Sequence, residues 1–225
     1  MSEWRKDESF FGSETYAQHG DDLMLVNIFR LLGIEKPSFI DLGAHSPMTI
    51  SNTYLLYLRG SRGVNVEANP ELMAAFYKHR PEDKNVWSGV GARPGILPFY
   101  MWDENTGSGV NTFSHDEVEF LMQENPHRKI KEIKQIQVRT VREILDEHCG
   151  GKFPQLLLTD IEGFDHEVLE SCDFISSRPM VICAEIRPWK SQVTKDLLDA
   201  RGYFVYCRMQ ANLIFVDKTY LHLLY

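Results

Sequence analysis

The stretch Ser38-Phe39-Ile40-Asp41-Leu42-Gly43-Ala44-His45, followed by Gly63-Val64-Asn65-Val66-Glu67, narrows the fold more than any other part of the chain. Each is an apolar run that ends in an acid, and a Gly-Ala turn closes the first. Short continuous apolar runs read as strands buried on both faces, the kind that build parallel sheets. Strand, tight turn, helix and second strand, with a carboxylate at the second strand's end, is how an open α/β sheet builds a nucleoside pocket. Glu67 is placed there to accept both ribose hydroxyls. Gly43 lets backbone approach a ligand closely, and Asp41 lies at the carboxyl end of the first strand, where such sheets bind ligands. The turn carries one of the three glycines of G-x-G-x-x-G, which points away from NAD.

The remaining pattern alternates strand and helix. An amphipathic run from Asp21 stops at Gly33, and residues 50–59 read as a helix ending at Gly60. Pro70 opens a helix to about His79 with Asn69 as its cap, and residues 86–90 read as a third strand. Residues 96–102 are extended. The segment 103–134 is long and polar, a loop followed by a charged helical stretch broken near Pro126, and reads as a lid over an acceptor. Buried strands follow at 156–160 and 181–185, with helices at 165–170 and 191–200. Residues 203–207 and 213–216 pair as an antiparallel hairpin across a short polar turn. The expected architecture is α/β: one doubly wound, mostly parallel sheet with a C-terminal antiparallel hairpin, in a single domain over residues 1–225. Residues 1–15 read as irregular.

Acids recur at the ends of the later strands. Asp160-Ile161-Glu162-Gly163 follows Leu156-Leu157-Leu158, and Glu185 follows Val181-Ile182-Cys183-Ala184. Two carboxylates at i and i+2 beyond a strand end overlook one crevice. They can orient a substrate, hold a cation or take a proton, or simply favour the helix N-terminus that follows. Asp160, Glu162 and Glu185 are therefore the candidate ligands for a divalent cation such as Mg. His45, His115 and His166 are candidate bases that spacing does not separate. The run from His127 to Lys134 is locally basic, either a solvated face or a surface for an anionic acceptor.

The 225-residue chain is 43% hydrophobic and carries a formal charge of -8, which disfavours a nucleic-acid backbone as partner. Its four cysteines are widely spaced with no C-x-x-C, so reduced thiols in a cytoplasmic protein are expected. The charged start is unlike a signal peptide, and no apolar run is long enough to span a bilayer.

Taken in order, five blocks resemble the FkbM family of S-adenosyl-L-methionine-dependent methyltransferases. Tyr16-Ala17-Gln18-His19-Gly20-Asp21-Asp22 is similar to the family's opening Tyr-Ser-Gln-x-Gly-Glu-Asp, and Phe39 to His45 to its first cofactor motif. Ser51-Asn52-Thr53-Tyr54-Leu55 and Gly63 to Pro70 are similar to its next two blocks. Asp160-Ile161-Glu162-Gly163-Phe164 resembles its Asp-x-Glu-Gly segment. Ser46-Pro47 departs from the family, replacing an acidic-glycine pair. The resemblance implies a class I methyltransferase (Rossmann-like) fold and O-methylation of a sugar, sugar nucleotide, glycan or other metabolite hydroxyl. It implies cofactor contacts at Gln18, Asp41, Gly43, Ala44, Glu67, Ala68, Ser88, Gly89 and Asp160, with Asp160, Glu162 or His45 as catalytic groups. The implied partner is a small-molecule or glycan acceptor, with no nucleic acid and no membrane span. A homo-oligomer stays open. Three rivals are a non-catalytic relative that binds cofactor or sugar, a nicotinamide-dependent oxidoreductase and, disfavoured by the charge, a nucleic-acid methyltransferase. The missing glycines and the terminal hairpin weigh against the second.

Overall fold

The computed structural model describes residues 14–103 and 108–224. A seven-stranded sheet runs in the order β3-β2-β1-β7-β8-β10-β9. Its strands are β1 (Phe39–Leu42), β2 (Gly63–Glu67), β3 (Lys84–Trp87), β7 (Leu156–Thr159), β8 (Val181–Glu185), β9 (Tyr203–Met209) and β10 (Asn212–Asp217). β1 pairs in parallel with β2 and β7, and β7 with β8. The terminal hairpin forms as expected, with a twist of topology: β10 inserts between β8 and β9, antiparallel to both. A second sheet of three strands, β4 (Gly89–Val90), β6 (Ile130–Arg139) and β5 (Gly95–Trp102) in that spatial order, is built from the chain between β3 and β7.

The unbroken apolar runs are unbroken because both faces of the sheet are covered. Ile40, Leu42, Val66, Leu157 and Ile182 pack on one side with Ile144 and Leu145 of α5 (Val141–His148) and Leu169 of α6 (Asp165–Ser171). Phe39, Leu156, Leu158 and Val181 pack on the other with Leu25, Ile28 and Phe29 of α1 (Asp21–Leu31). Caps set the helix starts. The Asn69 side chain accepts from the Glu71 N–H to begin α3 (Pro70–His79), and Thr140 and Glu143 form a reciprocal capping box on α5. Ser114 caps α4 (His115–Glu124). The remaining helices are α2 (Tyr54–Leu58), α7 (Ser191–Ala200) and α8 (Leu221–Leu224). No helix of the described residues is long and apolar enough to cross a membrane.

Three elements differ from the sequence reading. The helix expected over residues 50–59 is only Tyr54–Leu58, and Ile50 is left-handed at φ 54°. Backbone and side-chain groups there are committed elsewhere: Ser51 N–H donates to the Tyr16 carbonyl at 2.9 Å, and the Thr53 hydroxyl donates to Asp41 at 2.7 Å. The strand expected over residues 86–90 breaks at Ser88, whose N–H bonds the Glu67 carbonyl while Gly89 moves to the second sheet. Residues 130–134, expected to be helical, are the start of β6, because β5 offers an antiparallel ladder that reaches Ile130 after one register shift between Met101 and Trp102. Residues 1–13, within the stretch read as irregular, lie outside the described residues.

Candidate active site

The carboxyl ends of β1, β2 and β7 meet the second sheet at a cleft enclosing about 480 Å³, part of it open to solvent. Gly43 shapes its floor. Its φ is 82°, its N–H donates to the Val66 carbonyl at 2.9 Å, and an added Cβ would lie 1.9 Å from the Asp160 carbonyl oxygen. No flexible side chain can yield there, because the clash is with backbone. Gly43→Ala is expected to destabilise the protein by about 3–5 kcal/mol, combining left-handed strain and overpacking. Urea denaturation checks this, and a loss under about 1 kcal/mol would contradict so close a contact.

Glu67 ends β2 beside this turn. One carboxylate oxygen accepts from the His45 N–H at 2.9 Å and the other from the Asn69 N–H at 2.7 Å. Burial nevertheless pushes its pKa up to about 7, with the backbone N–H groups opposing. Two oxygens held by backbone retain lone pairs for further donors, the requirement for gripping a pair of vicinal hydroxyls. His45 is left-handed at φ 52°, and both of its buried ring nitrogens lack a hydrogen-bond partner. Burial lowers its pKa, so the imidazole is held neutral and offers one donor and one acceptor.

At the other end of the cleft, the loop after β7 carries Asp160 and Glu162. Asp165 stands behind them, accepting from the Thr159 hydroxyl at 2.6 Å, and Glu185 closes β8. Burial raises the pKa of Asp160 well above the usual range, and the charges of Glu185, Glu162 and Asp165 add to it. Glu162 is raised by burial and by Glu185, with Arg187 opposing. Asp165 is pushed up to about 7 by burial and by Glu185. Arg187 is the cation of this cluster. Burial disfavours its charge, yet Glu185, Glu162 and Glu117 raise its pKa. It bonds Glu162, lies 2.5 Å from Glu117 of α4 and reaches Glu185 at 3.3 Å.

The structure thus brings Gly43, His45, Glu67, Ala68, Ser88, Gly89, Asp160 and Glu162 to one cleft wall. It does not bring the others there. Gln18 is exposed ahead of α1, and Ala44 is buried against Met73 and Phe76 of α3. Asp41 turns away into a buried network in which Thr53 bridges it to Arg80, itself paired to Asp83 at 2.8 Å. Glu185 sits one layer back, beside Arg187. His166 bonds Thr194, and His115 is exposed at the start of α4 beside Glu119. Sequence reasoning missed Phe113 and Asn111, which line the cleft from the long insertion, and Arg187 and Glu117 behind it. Only Arg187 left a trace, a charge two residues past a strand end already marked by Glu185.

Chemically, the arrangement can receive a proton at neutral His45, or at Asp160 or Glu162 once that acid is ionised. Oxygens of Asp160, Glu162 and Glu185 also lie within 4.8 Å of one another, close enough for one cation. Arg187 already contacts two of those three groups, however, so a metal would have to share or displace that arginine.

The FkbM methyltransferase domain model matches residues 41–214, most of the chain. This protein belongs to the FkbM methyltransferase family. The match begins at Asp41 and so takes in the whole cleft wall described above. No curated protein matches this FkbM chain. Among solved structures, it is similar to a putative RNA methyltransferase, PH1948, from Pyrococcus horikoshii, at 13% identity and a TM-score of 0.45 over 87% of this chain and 82% of that one. It is also similar to monomeric WbdD, at 12% identity and a TM-score of 0.44 over 93% of this chain and 45% of that one.

Proposed function

We propose that this methyltransferase is S-adenosyl-L-methionine-dependent and methylates a hydroxyl of a sugar, sugar nucleotide or glycan. The observation that carries the reading is the charge of the cleft. Glu67, Asp160 and Glu162 line it, and among the described residues no lysine or arginine does. Such a wall offers a pyrophosphate no counter-charge, while a nucleoside bearing positive charge would favour ionisation of these acids, which separates a sulfonium cofactor from a nicotinamide dinucleotide. Glu67 would hold the ribose, Ala68, Ser88 and Gly89 would flank the base, and Gly43 and His45 would face the amino-acid end. The cofactor supplies a methyl group on a positively charged sulfur.

The chain's own task is to align and deprotonate the acceptor. Glu162 or Asp160, in its ionised form, would take the hydroxyl proton as the acceptor oxygen gains the methyl group that the bound cofactor would supply, the bonding pair of the C–S bond being left on sulfur. The insertion that contributes Asn111 and Phe113 covers the acceptor as a lid. We favour base catalysis without a metal, because Arg187 already supplies positive charge beside Glu162 and Glu185. The four unpaired cysteines suit a cytoplasmic setting.

A panel of activated sugars, free glycans and simple polyols, incubated with labelled cofactor and read by mass spectrometry, tests the proposal. One member should gain a methyl group, and a chelator should leave its rate within about threefold, a change of well under 1 kcal/mol in barrier. Protection from thermal unfolding by NAD but not by S-adenosylhomocysteine would overturn the assignment. A rate abolished by chelation and restored by Mg would make Asp160, Glu162 and Glu185 its ligands instead.

A further inference from the structure

Arg187 lies just past β8, outside the cleft wall, and touches carboxylates from three separate elements. Its Nη2 bonds Glu162 Oε2 of the loop after β7, and the same nitrogen lies 2.5 Å from Glu117 Oε1 of α4. Its Nε donates to Glu117 Oε2 at 3.1 Å, and Nη1 to Glu185 Oε1 at 3.3 Å. Only 18% of the side chain is exposed, so water screens these contacts weakly. The loop it grips is otherwise poorly determined by local rules. Glu162 is left-handed at φ 50°, a state non-glycine residues adopt only when surroundings impose it. A second restraint is the Thr112 hydroxyl, which donates to the Glu162 carbonyl at 2.6 Å. That bond holds backbone and leaves the direction of the carboxylate to Arg187.

We propose that Arg187 is a positioning residue: its guanidinium fixes the Glu162 carboxylate at the cleft wall by binding Oε2, and leaves Oε1 to meet the acceptor hydroxyl. This rests on the methyl-transfer reading above. The fork of Nε and Nη2 closes on both oxygens of Glu117, which sets the plane of the guanidinium, and the Nη2 so placed fixes Oε2 of Glu162. The same arginine ties α4 to the core, which is the bland alternative: a structural fastening with no part in turnover. Two features separate these roles. α4 has another anchor on the same segment, where Phe120 packs edge-on against Trp189 with centroids 4.7 Å apart. Glu117→Gln therefore removes the charge of the arginine's grip on α4 but keeps an acceptor oxygen for it, so that the helix stays docked and Glu162 stays held.

The test compares wild type, Arg187→Met, Arg187→Lys and Glu117→Gln by S-adenosylhomocysteine release. The assay uses the best acceptor of the panel, or water as methyl acceptor if no panel member reacts. Arg187→Met should lower kcat by about 30-fold or more, within the span of a displaced general base, while cofactor Kd by calorimetry stays within about threefold. Added guanidinium should restore part of that rate, Arg187→Lys should fall between, and Glu117→Gln should lose less than about threefold. The proposal is overturned if Arg187→Met keeps kcat within about threefold of wild type, or if Glu117→Gln falls as far as Arg187→Met. If Arg187→Met does not fold, Arg187→Lys decides: lower kcat at unchanged Kd supports the role, and wild-type kcat overturns it. A wild-type protein that binds no S-adenosylmethionine overturns the methyl-transfer reading itself, a separate result visible before any variant is made.

Discussion

Replacing Glu67 with glutamine is expected to weaken S-adenosylhomocysteine binding by about 30- to 100-fold, equivalent to about 2–2.7 kcal/mol, the range for hydrogen bonds to a charged group. The carboxylate already accepts from the His45 and Asn69 N–H groups and is asked to accept two hydroxyls more. An amide has one acceptor oxygen and turns an N–H₂ toward donors, so both sets of bonds suffer. Affinity should also depend on pH. With its pKa held near 7, Glu67 is partly protonated at neutrality, and ligand affinity should rise between about pH 6 and 8 as the carboxylate ionises. The Glu67→Gln variant should lose that rise. Calorimetry at three pH values measures both effects, and a loss below about threefold on folded protein would remove Glu67 from the cofactor site.

Asp160→Asn and Glu162→Gln are expected to cut kcat by about 10²- to 10⁴-fold while shifting cofactor Kd by less than about threefold, the signature of groups that act on the acceptor proton. Equal losses in kcat and affinity would assign them to cofactor binding. The same variants should not destabilise the fold at alkaline pH. Asp160, Glu162 and Asp165 all have folded-state pKa values above their usual ones, because the charges are buried beside one another. An acid whose pKa is raised by folding binds its proton more tightly in the native state. Its stabilising contribution is complete below the unfolded value, near 4, and is lost as pH climbs through the folded value, about 7 for Asp165. The ligand-free protein should therefore melt at a lower temperature at pH 8 than at pH 5.5, and Asp160→Asn should reduce that difference. Thermal scans across this range check the sign, and a melting temperature that rose toward pH 8 would show that these acids are already ionised at low pH. Stability given up to keep several carboxylates together is a common property of reactive sites.

Legibility in the sequence followed the range of the forces involved. The cleft's first acid and its turn were readable because strand, turn and strand are local, and Gly43 has a single steric reason to be glycine. Asp41 shows the limit. Its position at a strand end matched that of a ligand-facing acid, but side chains alternate along a strand. Which face it takes depends on Thr53 and Arg80, 12 and 39 positions away, where a buried polar network receives it. The start of β6 is hidden from the sequence for a related reason. A charged stretch rich in lysine and glutamate has no local bias to extend, and only pairing with β5 makes it a strand.

What the sequence determined by itself was the kind of fold and the acids at its edge: apolar runs closed by Glu67, Asp160 and Glu185, spaced by amphipathic helices, admit little besides a doubly wound sheet. What the tertiary structure alone decided was which of those acids share a cleft and what charge surrounds them. Arg187 meets Glu117 and Glu162 across 70 and 25 residues of chain, and the insertion places Phe113 and Asn111 over the loop after β7. Such encounters leave no period or spacing in a sequence, because they depend on how separate elements dock. Local propensity carries that information poorly, and the packing of a common core supplies it.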